Sequence, residues 1–303
     1  MMLKFMKQLF FGNYFYGICA VALSIEASLQ QQVPINSFLY YFILFVGTIF
    51  YYTNAYTHIN DTQSHNPRIY WYSQRLNKIK TNQTFRILTI FILSIFYLKI
   101  FVTKSYNYYI DNNLLLLIIF PISGLLYYGI SSKGVAKYNF RSVGWLKPIL
   151  IGFTWAGIVT LYPVIFSSIE QQHVFEISTI NYLLFLKNMM FITVLCIMFD
   201  VKDYASDYNK SLKTFVVYFG LRNTIFYILI PLSTIGLGTF IMYGINHDFS
   251  IQKLIINSIP FVLLLRVAYT LKSRKSIFYY LIVIDGLMLI KALCGSIAEL
   301  YFQ

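Results

Sequence analysis

The chain has 303 residues, 58% of them hydrophobic and 12% charged, with a mean hydropathy of +0.62. A soluble domain of this length does not carry that balance, so composition places the chain in a membrane. The formal charge of +13 does not mark a nucleic-acid binder, because the basic residues are spread over several loops with no soluble basic domain to dock a duplex.

Apolar stretches long enough to cross a hydrocarbon core of about 30 Å fall near residues 9–28, 35–57, 84–103, 113–131, 146–168, 179–199, 222–245, 251–271 and 276–297. The reading is an all-α integral membrane protein, a bundle of nine transmembrane helices forming one domain over residues 1–298. The first stretch follows Lys4 and Lys7 and has no small-residue cleavage site, so it reads as a retained helix. Residues 299–303, "ELYFQ", read as a tag remnant and are set outside the fold. Cys19, Cys196 and Cys294 lie inside apolar runs without metal-ligand spacing and read as small core hydrophobes.

Orientation follows from the basic residues. With the N-terminus cytoplasmic, that side collects 18 Lys and Arg, from Lys4 to Lys275, against Lys104 and Lys253 opposite. The expected setting is multi-pass, in a bacterial inner membrane. The long loops 58–83, 132–145 and 200–221 then share the cytoplasmic face, where the chemistry is expected. Asn13, Lys187, Arg266, Asp285 and Lys291 fall within the spans, where an unpaired charge is costly. Asp285 is expected to pair with Arg266 or Lys187.

The sixth stretch ends in "DVKDYASDYNKSLKT", residues 200–214. Asp200, Asp203 and Asp207 are spaced i, i+3, i+7, which puts them on one helical stripe. Three like charges on one face repel unless a cation or basic partner neutralises them, and all-oxygen donors select a hard ion such as Mg²⁺. The blander reading is a solvated helix end balanced by Lys202, Lys210 and Lys213.

Residues 200–220 resemble the second aspartate-rich motif of the UbiA-type intramembrane prenyltransferases, the superfamily of 4-hydroxybenzoate polyprenyltransferase. Asp203 and Asp207 match its DxxxD pair and Asp200 the preceding aspartate, while Thr214, Val217 and Gly220 match the segment TLPVxxG. Ser211 stands where many members have glycine. The resemblance implies a nine-helix membrane enzyme in which Asp203 and Asp207 are catalytic and Asp200, Asp203 and Asp207 hold Mg²⁺. It implies transfer of a polyprenyl group from an allylic diphosphate to an aromatic or other lipophilic acceptor.

The family's first motif, NDxxDxxxD, belongs at the end of the second helix, where this chain reads "NAYTHINDT", residues 54–62. Asn54 matches, but Ala55, His58 and Thr62 replace the aspartates. On the resemblance, Asn54 or Asp61 would complete the metal shell, and Arg141 and Lys213 would contact the diphosphate. His58, Asp61 and His65 share a ligand-like spacing but lack a metal-site anchor and read as a solvated loop. A family member without catalysis, binding or carrying an isoprenoid or lipid, is the alternative.

Overall fold

The computed structural model describes residues 2–57, 66–105, 113–128, 143–171, 177–209 and 211–302. In chain order it forms α1 (Met2–Phe11), α2 (Tyr14–Gln30), α3 (Phe38–Asn54), α4 (Pro67–Ser73), α5 (Leu76–Ser105), α6 (Asn113–Tyr128), α7 (Leu146–Ala156) and α8 (Tyr162–Gln171). There follow α9 (Thr179–Asn209), α10 (Phe215–Phe219), α11 (Leu221–Asn223), α12 (Ile230–Asn246), α13 (Ile251–Thr270), α14 (Ile277–Tyr279) and α15 (Gly286–Tyr301). There is no strand among the described residues.

Every apolar stretch of the sequence carries helix, but the continuous spans are fewer. Among the described residues, five are long and apolar enough to cross a membrane: Leu146–Gln171, Thr179–Ala205, Leu221–Asn246, Ile251–Thr270 and Ile277–Tyr301. A sixth is counted if Lys4–Phe11 and Tyr14–Gln30, bent by 57°, form one span. The apolar helix Phe38–Asn54 is shorter, with 17 residues.

Local chemistry sets the helix ends. The side chains of Ser37, Asn66, Thr214, Ser250 and Ser276 each accept a hydrogen bond from a backbone N–H in the first turn that follows, donors that a helix otherwise leaves open. Asn66 is followed by Pro67, whose missing N–H costs nothing at that position. Among the described residues, three wide π-helical turns, Gly157–Leu161, Thr224–Leu229 and Tyr280–Ile284, interrupt the long helices. The first two end two residues before Pro163 and Pro231. A proline ring crowds the preceding turn and removes a donor, and the wider turn lets the helix run on past it.

Contacts divide the chain into two compact units. The first holds residues 1–21, 36–109 and 166–174. Its centre is Asn13, fully buried between α1 and α2 with φ of 65°, the left-handed conformation that Asn tolerates better than most residues. Its side chain donates to Thr53 Oγ1 and Tyr72 Oη, both at 3.0 Å, and accepts from Arg68. Tyr72 donates to the Phe11 carbonyl at 2.7 Å, closing the end of α1. Tyr56 stacks on Tyr72 with centroids 4.4 Å apart, and Arg68 lies over the Tyr56 ring. The single span expected at 9–28 is therefore broken at Asn13.

The second unit holds residues 22–35, 110–165 and 175–303. Helices α7 and α9 pack closely, because a side chain at Gly152 would strike Thr193. Glu26 and Lys291 form a buried ion pair, with Nζ 2.9 Å from Oε1 and 2.7 Å from Oε2. Gln30 donates to the same carboxylate at 3.1 Å and accepts from Lys187 at 3.0 Å. Lys187 thus goes to Gln30 rather than to Asp285, and Arg266 is exposed with no ion pair among the described residues. Residues 299–301, set outside the fold by the sequence reading, are the last turn of α15, where Glu299 meets Lys253 at 2.8 Å. Cys19, Cys196 and Cys294 form no disulfide among the described residues.

Candidate functional site

The aspartate stretch forms the C-terminal end of α9, as its spacing predicts. The three carboxylates are not equivalent. Asp200 is fully buried, and its Oδ1 accepts from Lys147 Nζ at 2.6 Å, while its Oδ2 is buried with no hydrogen-bond partner among the described residues. Asp203 is the most accessible, its side chain 40% exposed and 3.3 Å from Lys202. Asp207 is buried to 8% exposure.

A helix C-terminus carries partial negative charge and favours cations. Three aspartates there add charge of the wrong sign, and Lys147 and Lys202 answer two of them. The donors of the stretch are carboxylate oxygens, which suit a hard divalent cation, and the unused oxygen of Asp200 is the kind of acceptor such an ion or its water would engage. Among the described residues no three His, Cys, Asp or Glu side chains come together as a ready-made metal shell.

The segment after the aspartates explains its own residue pattern. Leu212 N–H bonds the Asp207 carbonyl at 2.9 Å and Ser211 N–H the Tyr208 carbonyl at 3.1 Å, the two bonds of a left-handed helix stop. Ser211 occupies the left-handed position with φ of 54°, where glycine is unstrained. Replacing Ser211 with Gly is therefore expected to raise stability by about 1 kcal/mol, seen as a higher thermal midpoint; an unchanged or lower midpoint would contradict the strain.

Thr214 caps α10 by accepting from Val217 N–H at 3.3 Å. Gly220, with φ of 79° and ψ of 157°, lies in a region open essentially only to glycine. The Thr, Val and Gly of the motif therefore shape one turn. Gly144, just before α7, packs so closely on the backbone of Lys213 and Thr214 that a side chain there would collide with both. The start of α7, which supplies Lys147, is thereby held against the turn that follows the aspartates.

Of the other expected site residues, Lys213 is exposed on this turn. Asn54 is the exposed last residue of α3, with its carbonyl and side-chain oxygen accepting from Thr57 Oγ1 at 2.8 and 3.4 Å. Asp61 and Arg141, with His58 and His65, lie outside the described residues. Lys147 is one of several basic residues that the sequence offers for diphosphate binding, with Arg141 preferred, and its pairing with Asp200 is what the sequence does not show. The signal that singles it out is its place in the first turn of a helix entered through a close-packed glycine.

The described residues thus form helices, several of them candidate membrane spans, with an aspartate stripe closing one span. The fold matches a solved structure of digeranylgeranylglyceryl phosphate synthase, an enzyme of membranes, over 99% of each chain with a TM-score of 0.57 and 15% identity. At that identity the likeness speaks for the fold. No family model matches the chain, and no curated protein matches it.

Proposed function

We propose that the chain is a UbiA-like membrane prenyltransferase, moving a polyprenyl group from an allylic diphosphate to an aromatic or other lipophilic acceptor with Mg²⁺. The observation that carries the reading is the stripe of Asp200, Asp203 and Asp207 at the end of a candidate span, with Asp200 locked by Lys147. Support also comes from a fold shared over 99% of its length with a synthase whose name describes a geranylgeranylated glyceryl phosphate. In this reading nine helices span the membrane with the N-terminus cytoplasmic, as the 18 to 2 distribution of basic residues suggests.

In the transfer, the bond between the prenyl C1 and the diphosphate oxygen breaks, and the diphosphate leaves with the electron pair. The acceptor then bonds to C1 and releases its proton. Bound Mg²⁺ would neutralise the charge that gathers on the departing diphosphate. Asp203 and Asp207 would hold the ion, leaving its other positions to diphosphate and water, the usual habit of Mg²⁺. Lys147 holds the buried Asp200 carboxylate at 2.6 Å, and exposed Lys213 is available to a phosphate oxygen. Water would have to be kept from the allylic cation, which it would otherwise quench.

The test is Mg²⁺-dependent diphosphate release by the full chain from allylic donors of increasing length. Protein that binds and turns over none of them sinks the reading. Ala55 in place of a first-motif aspartate favours a second reading, a non-catalytic carrier of isoprenoid or lipid. A lipid held tightly through purification, seen by mass spectrometry without any turnover, would select it.

A further inference from the structure

The first unit contains a polar feature that prenyl transfer at the aspartate stripe does not use. A cavity of about 200 Å³ is lined by four cations, Lys4, Arg75, Lys78 and Arg86, and, among the described residues, by no acidic one. None of the four is ion-paired among the described residues. Like charges gathered around so small a space repel, and an anion between them relieves that repulsion.

The walls are built in advance of any ligand. Thr53 and Tyr72, both buried, belong to the hub around Asn13. Burial pushes the Tyr72 phenol up to about 12, so it keeps its proton and continues to donate to Phe11. Arg86 is aimed by Gln83 Oε1 at 2.8 Å, Tyr14 Oη at 3.3 Å and Thr53 Oγ1 at 3.4 Å. Arg75 lies over the Trp71 ring at 5.0 Å and donates to the Trp71 carbonyl at 3.2 Å.

Guanidinium forks match the tetrahedral oxygens of phosphate, and lysines add unoriented positive charge at the rim. Drug-sized ligands need cavities of about 300–1,000 Å³, so this one suits a headgroup rather than a prenyl chain. We propose that the cavity binds a phosphate group, carried either by an anionic lipid or by a soluble phosphate.

The test uses the full chain in nanodiscs, comparing it with the double variant Lys4→Gln and Lys78→Gln. Both lysines are exposed and hold no side-chain hydrogen bond of the fold among the described residues, so the variant is expected to fold. Arg274→Gln with Lys275→Gln, in the second unit, removes the same charge elsewhere. In one arm inorganic phosphate is titrated in phosphatidylcholine discs and the unfolding midpoint is followed. In the other, phosphatidylglycerol is added to the discs and its retention is read by native mass spectrometry.

The apparent affinity should fall about tenfold in the Lys4 and Lys78 variant and hold in the control, in the phosphate arm for a soluble ligand or the phosphatidylglycerol arm for a lipid. Equal binding by all three proteins, or no binding by the wild type in either arm, overturns the proposal. Diphosphate release is measured separately, so a failure here is distinguishable from a failure of the prenyl-transfer reading.

Discussion

Replacing Asp203 and Asp207 together with Asn is expected to lower Mg²⁺-dependent diphosphate release about a thousandfold or more. Asn keeps the size of the side chain and removes the negative charge, so the helix end should persist while the ion loses its protein anchors. Asp203 is the more accessible of the pair and Asp207 the more buried. The single Asp203 variant should therefore be rescued in part by raised Mg²⁺, and the single Asp207 variant less so. Initial rates at graded Mg²⁺ read the difference, with the thermal midpoint as a folding control. Exposed Asp248 lies on a different turn of the same unit, and Asp248→Asn should leave the rate unchanged. Full activity in the double variant would remove the aspartate stripe from the chemistry altogether.

Replacing Lys291 with Met is expected to cost about 3–5 kcal/mol of stability. The Lys291 and Glu26 side chains are 4% and 2% exposed, so neither charge can turn to solvent once its partner is gone. Gly295 adds to the confinement, since its missing side chain is what makes room for the Glu26 carboxylate. Replacing both partners, Lys291→Met with Glu26→Gln, should recover most of the loss, because the remaining amide carries no charge. Denaturation in mild detergent measures both variants. A single variant as stable as the wild type would mean that the buried pair contributes little.

The spacing of Asp200, Asp203 and Asp207 was legible because it is local: three residues within eight positions fix one stripe on any helix. The division of labour among them was not, because Asp200 is claimed by Lys147 from 53 positions away. Ser211 and Gly220 stood out as motif positions, and their backbone angles give the physical reason. Gly12 and the polar Asn13 inside the first apolar stretch were a local cue to the break, but the partners that hold it, Thr53 and Tyr72, lie 40 and 59 positions on. The misassigned partner of Lys187 has the same origin. Charge pairing inside a bundle follows which helices meet, and a hydropathy profile does not contain that information.

The pairing of Glu26 with Lys291 also has a consequence in time. The two residues are 265 positions apart, and a ribosome adding about 5–20 residues per second needs roughly 13 to 53 s to bridge that gap. Throughout that interval Glu26 has been made and Lys291 has not. Its carboxylate can then rely on Gln30, one turn along the same helix, as a neighbour already in place. The nascent chain must hold an acid in an apolar setting until α15 arrives, and docking of that helix is the event that neutralises it. Chains halted before Lys291 should therefore be the ones that quality-control proteases recognise, while those halted just after it should survive.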